Sequence, residues 1–155
     1  APPILASAQT EIDMSAGIDT NDHAILICTK CRGLAAASQL RSQLADQLEE
    51  NDIKAGVINA RFVKPLDTEL LLESVKASKL IVTLEDNVLM GGFGSAILEA
   101  LQENNCSHPV ERFGWPDKFV EHGSSVSKLR IDVGLTSEIL LKKIHARKRE
   151  CLISV

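Results

Sequence analysis

From His23 onward the chain alternates short apolar runs with longer stretches in which apolar residues recur every three or four positions. The first run, Ala24 to Thr29 (AILICT), is uninterrupted, as a strand covered on both faces requires. A helix follows: Leu40, Leu44 and Leu48, with Ala37 and Ala45 beside them, share one face, while Arg41, Gln43, Asp46, Gln47 and Glu50 point away. Lys54 to Ala60 (KAGVINA) reads as a second strand. Beyond it Pro65 blocks continuation, Asp67 can cap and Glu69 suits a first turn, which predicts a helix from Thr68 to about Ala77. Leu80 to Leu84 (LIVTL) is a third buried strand, followed by a short acidic turn, Glu85-Asp86-Asn87, and a glycine-rich corner. Phe93 to Asn104 is a third helix with Phe93, Ile97, Ala100 and Leu101 inward, and Val110 to Phe113 a further short strand. Leu135 to about Lys148 closes the pattern as a helix with Ile139, Leu140 and Ile144 inward. Ahead of His23 only Glu11 to Ala16 suits an extended conformation. Residues 1–8 are therefore expected to form a linker or disordered end, 9–150 one domain, and 151–155 a tail.

Strands alternating with helices of this length define βαβ units, whose crossovers place helices on both faces of a mainly parallel sheet. The expected fold class is α/β, in three layers. At 155 residues and 45% hydrophobic content, the chain has enough material for one domain with a real core, and too little for two ordinary ones. No apolar run approaches the roughly 20 residues of a membrane helix. The opening APPILASAQTEID lacks the basic start and apolar core of a signal peptide, so a soluble, unsecreted protein is expected. A start at Ala rather than Met suits a processed chain or a piece of a longer one. The net charge of −4 argues against broad nucleic-acid binding, which needs Lys and Arg to neutralise phosphates. The basic cluster Lys142 to Arg149 is read as a solvated helix end, where cations favour the helix dipole.

Three groups of residues could carry chemistry. The corner Gly91-Gly92-Phe93-Gly94-Ser95 stands between a strand and a helix, where a phosphate-binding loop would stand. It departs from the dinucleotide fingerprint, because Ile97 occupies the place of the third glycine, and no Gly-Lys-Ser/Thr follows. A structural corner is the better reading, since glycine permits positive φ and close approach of another backbone. The second group is Cys28-Thr29-Lys30-Cys31, a CxxC between a strand and a helix, positioned as a redox pair would be. Cys28 equally continues a buried apolar run, where a free thiol behaves as a small hydrophobe. Cys106 with His108 falls short of a zinc set, and Cys151 is expected to be an exposed thiol. The third group is polar: Arg61 and Lys64 after the second strand, Glu85 and Asp86 before the glycines, Asp117 and His122 after the last strand. In an open parallel sheet, residues just past the carboxyl ends of strands share the edge where ligands or partners bind. Glu85 and Asp86 could act as acid and base, but adjacent positions on a turn need not converge. A pairing of Arg61 with an acidic residue of this edge is the blander alternative.

Three segments taken together, ARFVKPLD (Ala60 to Asp67), VTLEDNVLMGGFGSAILEAL (Val82 to Leu101) and GWPDKFVEHG (Gly114 to Gly123), resemble the C-terminal domain of the 1-deoxy-D-xylulose-5-phosphate synthases. The first two are shared across the transketolase-like superfamily. The third, carried here by Gly114, Pro116, Asp117, Phe119, His122 and Gly123, favours the synthases. The resemblance covers about Ile25 to Leu141. It implies an α/β/α sandwich with a five-stranded mixed sheet, mainly parallel, whose first strand is antiparallel and would be Glu11 to Ala16 here. It departs at Cys28 to Gly33, where the family usually has a glycine and a small residue. Trp115 stands where a smaller apolar residue is usual, which is expected to alter only local packing.

The resemblance implies a parent enzyme that joins pyruvate and glyceraldehyde 3-phosphate in isoprenoid precursor biosynthesis, using thiamine diphosphate and Mg²⁺. Those groups are held by a GDG-to-NN motif, and a separate domain supplies the glutamate that activates the aminopyrimidine. GDG occurs nowhere in this sequence. No catalytic, cofactor-binding or metal-binding residue is therefore expected in this chain, and the isolated chain is expected to be inactive. It is expected to pack on other domains of the same enzyme and to take part in a homodimer, in bacterial cytoplasm or a plastid. The candidate contact edge comprises Arg61, Lys64, Asp67, Glu85, Asp86, Gly91, Gly92, Gly94, Asp117 and His122. Three rival readings stand beside it: a separate small-molecule or nucleotide-binding module, the C-terminal domain of another transketolase-like enzyme, and a CxxC redox protein.

Overall fold

Apolar runs too short for helices pair into a sheet, and the amphipathic stretches between them lie on its two faces. The computed structural model describes residues 12–13, 23–29, 35–60, 62–76 and 78–153. In chain order the elements are β1 (Ile12–Asp13), β2 (His23–Thr29), α1 (Ala35–Glu50), β3 (Lys54–Ala60), α2 (Thr68–Lys76) and β4 (Leu80–Val88). They are followed by α3 (Phe93–Glu103), β5 (Val110–Trp115), α4 (Val126–Asp132) and α5 (Ser137–Ile153). The strands form one five-stranded sheet in the order β1-β3-β2-β4-β5. Strand β2 pairs in parallel with β3 and β4, β4 in parallel with β5, while the two-residue β1 runs antiparallel to β3. This is the α/β class that the alternation of runs predicts.

Alternation along the strands divides the core in two. Leu80, Val82, Leu84 and Phe113 face one side, with Leu44 and Leu48 of α1 and Leu140 and Ile144 of α5. Ile58, Ala60 and Ile81 face the other, with Leu71 and Val75 of α2 and Phe93, Ile97 and Leu101 of α3. Three layers result.

Four features differ from the pattern's prediction. Strand β4 does not stop at Leu84: Glu85, Asp86 and Asn87 continue it to Val88 instead of forming a turn. The pairing slips there, because Leu84 faces Phe113 while Val88 faces Trp115, so four steps of β4 match two of β5. Such a bulge re-aims side chains, and it lets polar residues occupy a strand position. Helix α4 has no counterpart in the reading above, although Ser125 caps it by accepting from Lys128 N. Helix α5 continues to Ile153, past Lys148, because Cys151 returns to the core: its side chain is half-buried against the α1/α5 cluster rather than exposed. Ile139, expected inward, is on the exposed side of α5, while its neighbour Leu140 is wholly buried. The basic stretch of α5 is partly spent on packing, with Lys143 over the Phe113 ring at 5.8 Å and Arg147 Nε 4.0 Å from Glu111.

Candidate functional site

The carboxyl ends of β3, β4 and β5 carry the described members of the predicted edge. Glu85 is 2% exposed. Its side chain lies on the α3 side of the sheet, where Oε2 accepts from Phe93 N at 2.7 Å and Oε1 from Gly94 N at 2.9 Å. Those amides belong to the first turn of α3, whose N–H groups have no partner within the helix, and a negative charge there also complements the helix dipole. Gly92 makes this possible. A Cβ at position 92 would collide with the Glu85 carboxylate and the Val88 carbonyl oxygen, and one at Gly94 would lie 2.8 Å from Thr83 Oγ1. Gly91 serves differently, by turning the chain at φ +68°.

A second layer of bonds fixes this corner. Ser95 Oγ donates to Leu89 O at 3.0 Å and accepts from Gly91 N at 3.1 Å. Arg112 of β5 donates through Nη1 to Ser95 Oγ at 3.0 Å and to Leu89 O at 3.3 Å. The glycine corner is closed by the chain's own groups.

Asp86 points to the opposite face. Its Oδ1 accepts from Trp115 Nε1 at 2.7 Å, and its Oδ2 accepts from Arg130 Nη2, also at 2.7 Å. The Asp86 and Arg130 side chains are each only 8% exposed. Glu85 and Asp86 therefore do not form an acid–base pair; each is committed to a separate network on its own side of the sheet.

Between the first turns of α2 and α3 runs an open apolar groove, lined by Phe62, Pro65, Leu66, Leu70, Phe93 and Ile97 among others. Phe62 stands at its rim, 54% exposed. Asp67 Oδ1 caps α2 by accepting from Leu70 N at 3.0 Å. With Asp67 on one side and Glu85 on the other, both helix N-termini beside the groove are occupied by carboxylates. An apolar surface fits there; a phosphate does not. Lys64 is exposed near this groove, and Asp117 and His122 are exposed on the segment between β5 and α4. Arg61 lies outside the described residues, as does Cys31, so the pairing of Arg61 and the CxxC reading have no structural counterpart here. Among the described residues, no three His, Cys, Asp or Glu side chains gather as a metal set.

Sequence reasoning missed Arg112, Arg130 and the polar role of Trp115. Arginines spaced far from their partners in sequence leave no periodic signal. The capping pattern Ser125 to Lys128 could have revealed α4, and with it the position of Arg130.

These features define a three-layer α/β/α domain in which, among the described residues, the β4–α3 corner is filled by the chain's own groups and an apolar groove lies beside it. The chain belongs to the transketolase C-terminal domain family, whose sequence profile ("Transketolase, C-terminal domain") matches residues 33–139. It is 46% identical over 112 residues to a 1-deoxy-D-xylulose-5-phosphate synthase of Acidobacterium capsulatum, a match covering 72% of this chain and 18% of that protein. The corresponding synthase of Microcystis aeruginosa is 51% identical over 104 residues, covering 67% of this chain and 16% of the relative. The chain thus spans less than a fifth of the length of these curated relatives. Among solved structures, a split-gene transketolase described as an inactive beta4 tetramer superposes with a TM-score of 0.66 at 29% identity, covering 87% of this chain and 40% of that one. A 2-oxoglutarate:ferredoxin oxidoreductase from Magnetococcus marinus shares the fold, with a TM-score of 0.57 at 10% identity over 92% of this chain and 20% of that one.

Proposed function

We propose that this chain is the C-terminal domain of a 1-deoxy-D-xylulose-5-phosphate synthase, spanning residues 9–150, and that its work is to form a permanent contact surface for the rest of that enzyme. The observation that carries this reading is the closed β4–α3 corner. Its amides and its space are taken by Glu85. A groove of apolar side chains lies beside it. This corner has already spent its Phe93 and Gly94 amides on Glu85, and the groove beside it offers another protein surface an apolar face.

The parent reaction joins pyruvate and glyceraldehyde 3-phosphate. Thiamine diphosphate, when bound, supplies the stabilisation of the carbanion left by loss of CO₂. The residues at this edge do not fit its diphosphate, because the α3 N-terminus is filled and the α2 N-terminus is capped by Asp67. The cofactor and Mg²⁺ accordingly belong to other domains of the parent. Lys64, Asp67, the Gly91–Gly94 corner, Asp117 and His122, with Arg61, constitute the proposed contact edge. The partners are those other domains and a second copy of the enzyme, and the similarity to bacterial synthases supports a bacterial cytoplasm or plastid as the compartment. No described helix is long and apolar enough to cross a membrane.

The test starts from the native protein, captured with an antibody against this domain and assayed for CO₂ release from pyruvate that depends on glyceraldehyde 3-phosphate. The expected result is a polypeptide several times longer than this chain, active, and inactive once residues 9–150 are deleted. A native polypeptide of this length with no such activity, or a deleted enzyme with full activity, would overturn the proposal.

A further inference from the structure

Between β5 and α4 the chain runs through an exposed segment, 116–125, whose two ends are held by one carboxylate. Trp115, at its entry, donates to Asp86 Oδ1, and Arg130, one turn into the helix at its exit, donates to Asp86 Oδ2. Both bonds are 2.7 Å, and the ion pair is almost wholly removed from water. A charge-assisted pair in that setting is stronger than its exposed counterpart and little screened by salt. The middle of the segment is the reverse. Phe119 is fully exposed, at 103% of its reference area, and Asp117, Lys118, Glu121 and His122 around it are exposed as well. An aromatic ring ringed by charges, presented on a loop anchored at both ends, has the make-up of a contact patch: an apolar anchor with a polar rim. Anchoring matters because a loop already ordered loses less entropy on association.

We infer that Asp86 is a positioning residue that clamps segment 116–125, and that Phe119 on this segment is an anchor inserted into the remainder of the same polypeptide. The occupant follows from length: the chain spans less than a fifth of the relatives it matches, so most of the parent lies beyond it. This rests on the proposed function. It adds to it a specific contact on the α4 side of the sheet, distinct from the groove between α2 and α3.

Two sets of measurements separate the parts. Trp115 is the sole tryptophan, so its fluorescence reports on the clamp directly. Asp86→Asn is expected to move the emission to longer wavelength and to raise trypsin cleavage after Lys118 at least about tenfold, by freeing the ends of the segment. Trp115→Phe, which leaves the ion pair in place, should raise the same cleavage by a smaller factor and serves if Asp86→Asn fails to fold. Unchanged cleavage in folded variants would overturn the clamp. In the full-length enzyme, Phe119→Ala is expected to leave the melting temperature of this domain unchanged while lowering kcat several-fold or weakening assembly; Asp86→Asn is expected to weaken the same functions and also to lower the melting temperature, because Arg130 loses its buried partner. Full activity and assembly in Phe119→Ala would overturn the anchor while leaving the domain assignment intact. A wild-type parent without synthase activity would instead overturn the assignment.

Discussion

Gly91 and Gly92 are adjacent, yet the structure needs them for unrelated reasons, and alanine at each position separates the two. At 92 the obstacle is space, since a Cβ would strike the Glu85 carboxylate and the Val88 carbonyl oxygen. At 91 there is room, with nothing within 4 Å of a Cβ, and only the positive φ of 68° opposes a side chain. Gly92→Ala is expected to cost about 3 kcal/mol or more by overpacking and loss of the buried carboxylate's bonds. Gly91→Ala should cost about 1 kcal/mol for the left-handed conformation. Urea denaturation of the two variants measures the difference, and equal losses would contradict this account. At this scale the sequence was only half legible. The glycines announced a corner, and the loose match to a nucleotide fingerprint argued for a structural one. What occupied the corner was not legible, because the pair Glu85-Asp86 reads in sequence as a turn, whereas both belong to β4, whose alternation sends them to opposite faces.

Elements meet at the other end of the sheet through Ser78, just after α2, and His108, just before β5, with Ser78 Oγ 3.3 Å from His108 Nε2. Burial lowers the His108 pKa from its ordinary value of 6.5. A base whose pKa is depressed in the folded state binds fewer protons there than in the unfolded chain. Its contribution is therefore full above pH 6.5, and is lost as pH falls from 6.5 to the lowered folded value. His108→Gln is expected to flatten that part of the profile, seen as a smaller drop in the urea midpoint between about pH 7.5 and about pH 5. An unchanged drop would assign the pH dependence to other groups. The long elements were readable from periodicity: α2 and α3 begin and end close to the predicted places, and α1 turns the predicted Leu44 and Leu48 inward, because these apolar stripes fill the core. The failures were elements whose burial is not apolar. The end of β4 carries Glu85 and Asp86, α4 buries Arg130, and among the described side chains of the last turns of α5 it is a thiol, Cys151, that returns to the core.

The whole molecule is a sheet with a separate apolar cluster on each face. Leu140 belongs to the cluster of α1 and α5, and Ile97 to that of α2 and α3, and both are buried to within 1%. Since no shared partner joins them, their effects should add. Leu140→Ala is expected to cost about 3 kcal/mol and Ile97→Val about 1 kcal/mol, and the double variant should equal their sum to within about 0.5 kcal/mol. A larger discrepancy would mean that the sheet transmits strain between its faces. The three-layer class was legible from sequence alone, since strands covered on both sides read as unbroken apolar runs. The use of the carboxyl edge was less so, because in many folds of this kind the same corner receives a metabolite. Here a residue of the chain stands where a metabolite would otherwise sit. A protein that binds a ligand at such a corner gains stability as the ligand becomes abundant and loses it in starvation. This domain, carrying its own counterion in Glu85, holds its β4–α3 corner in the same shape whatever the cell's supply of phosphorylated compounds.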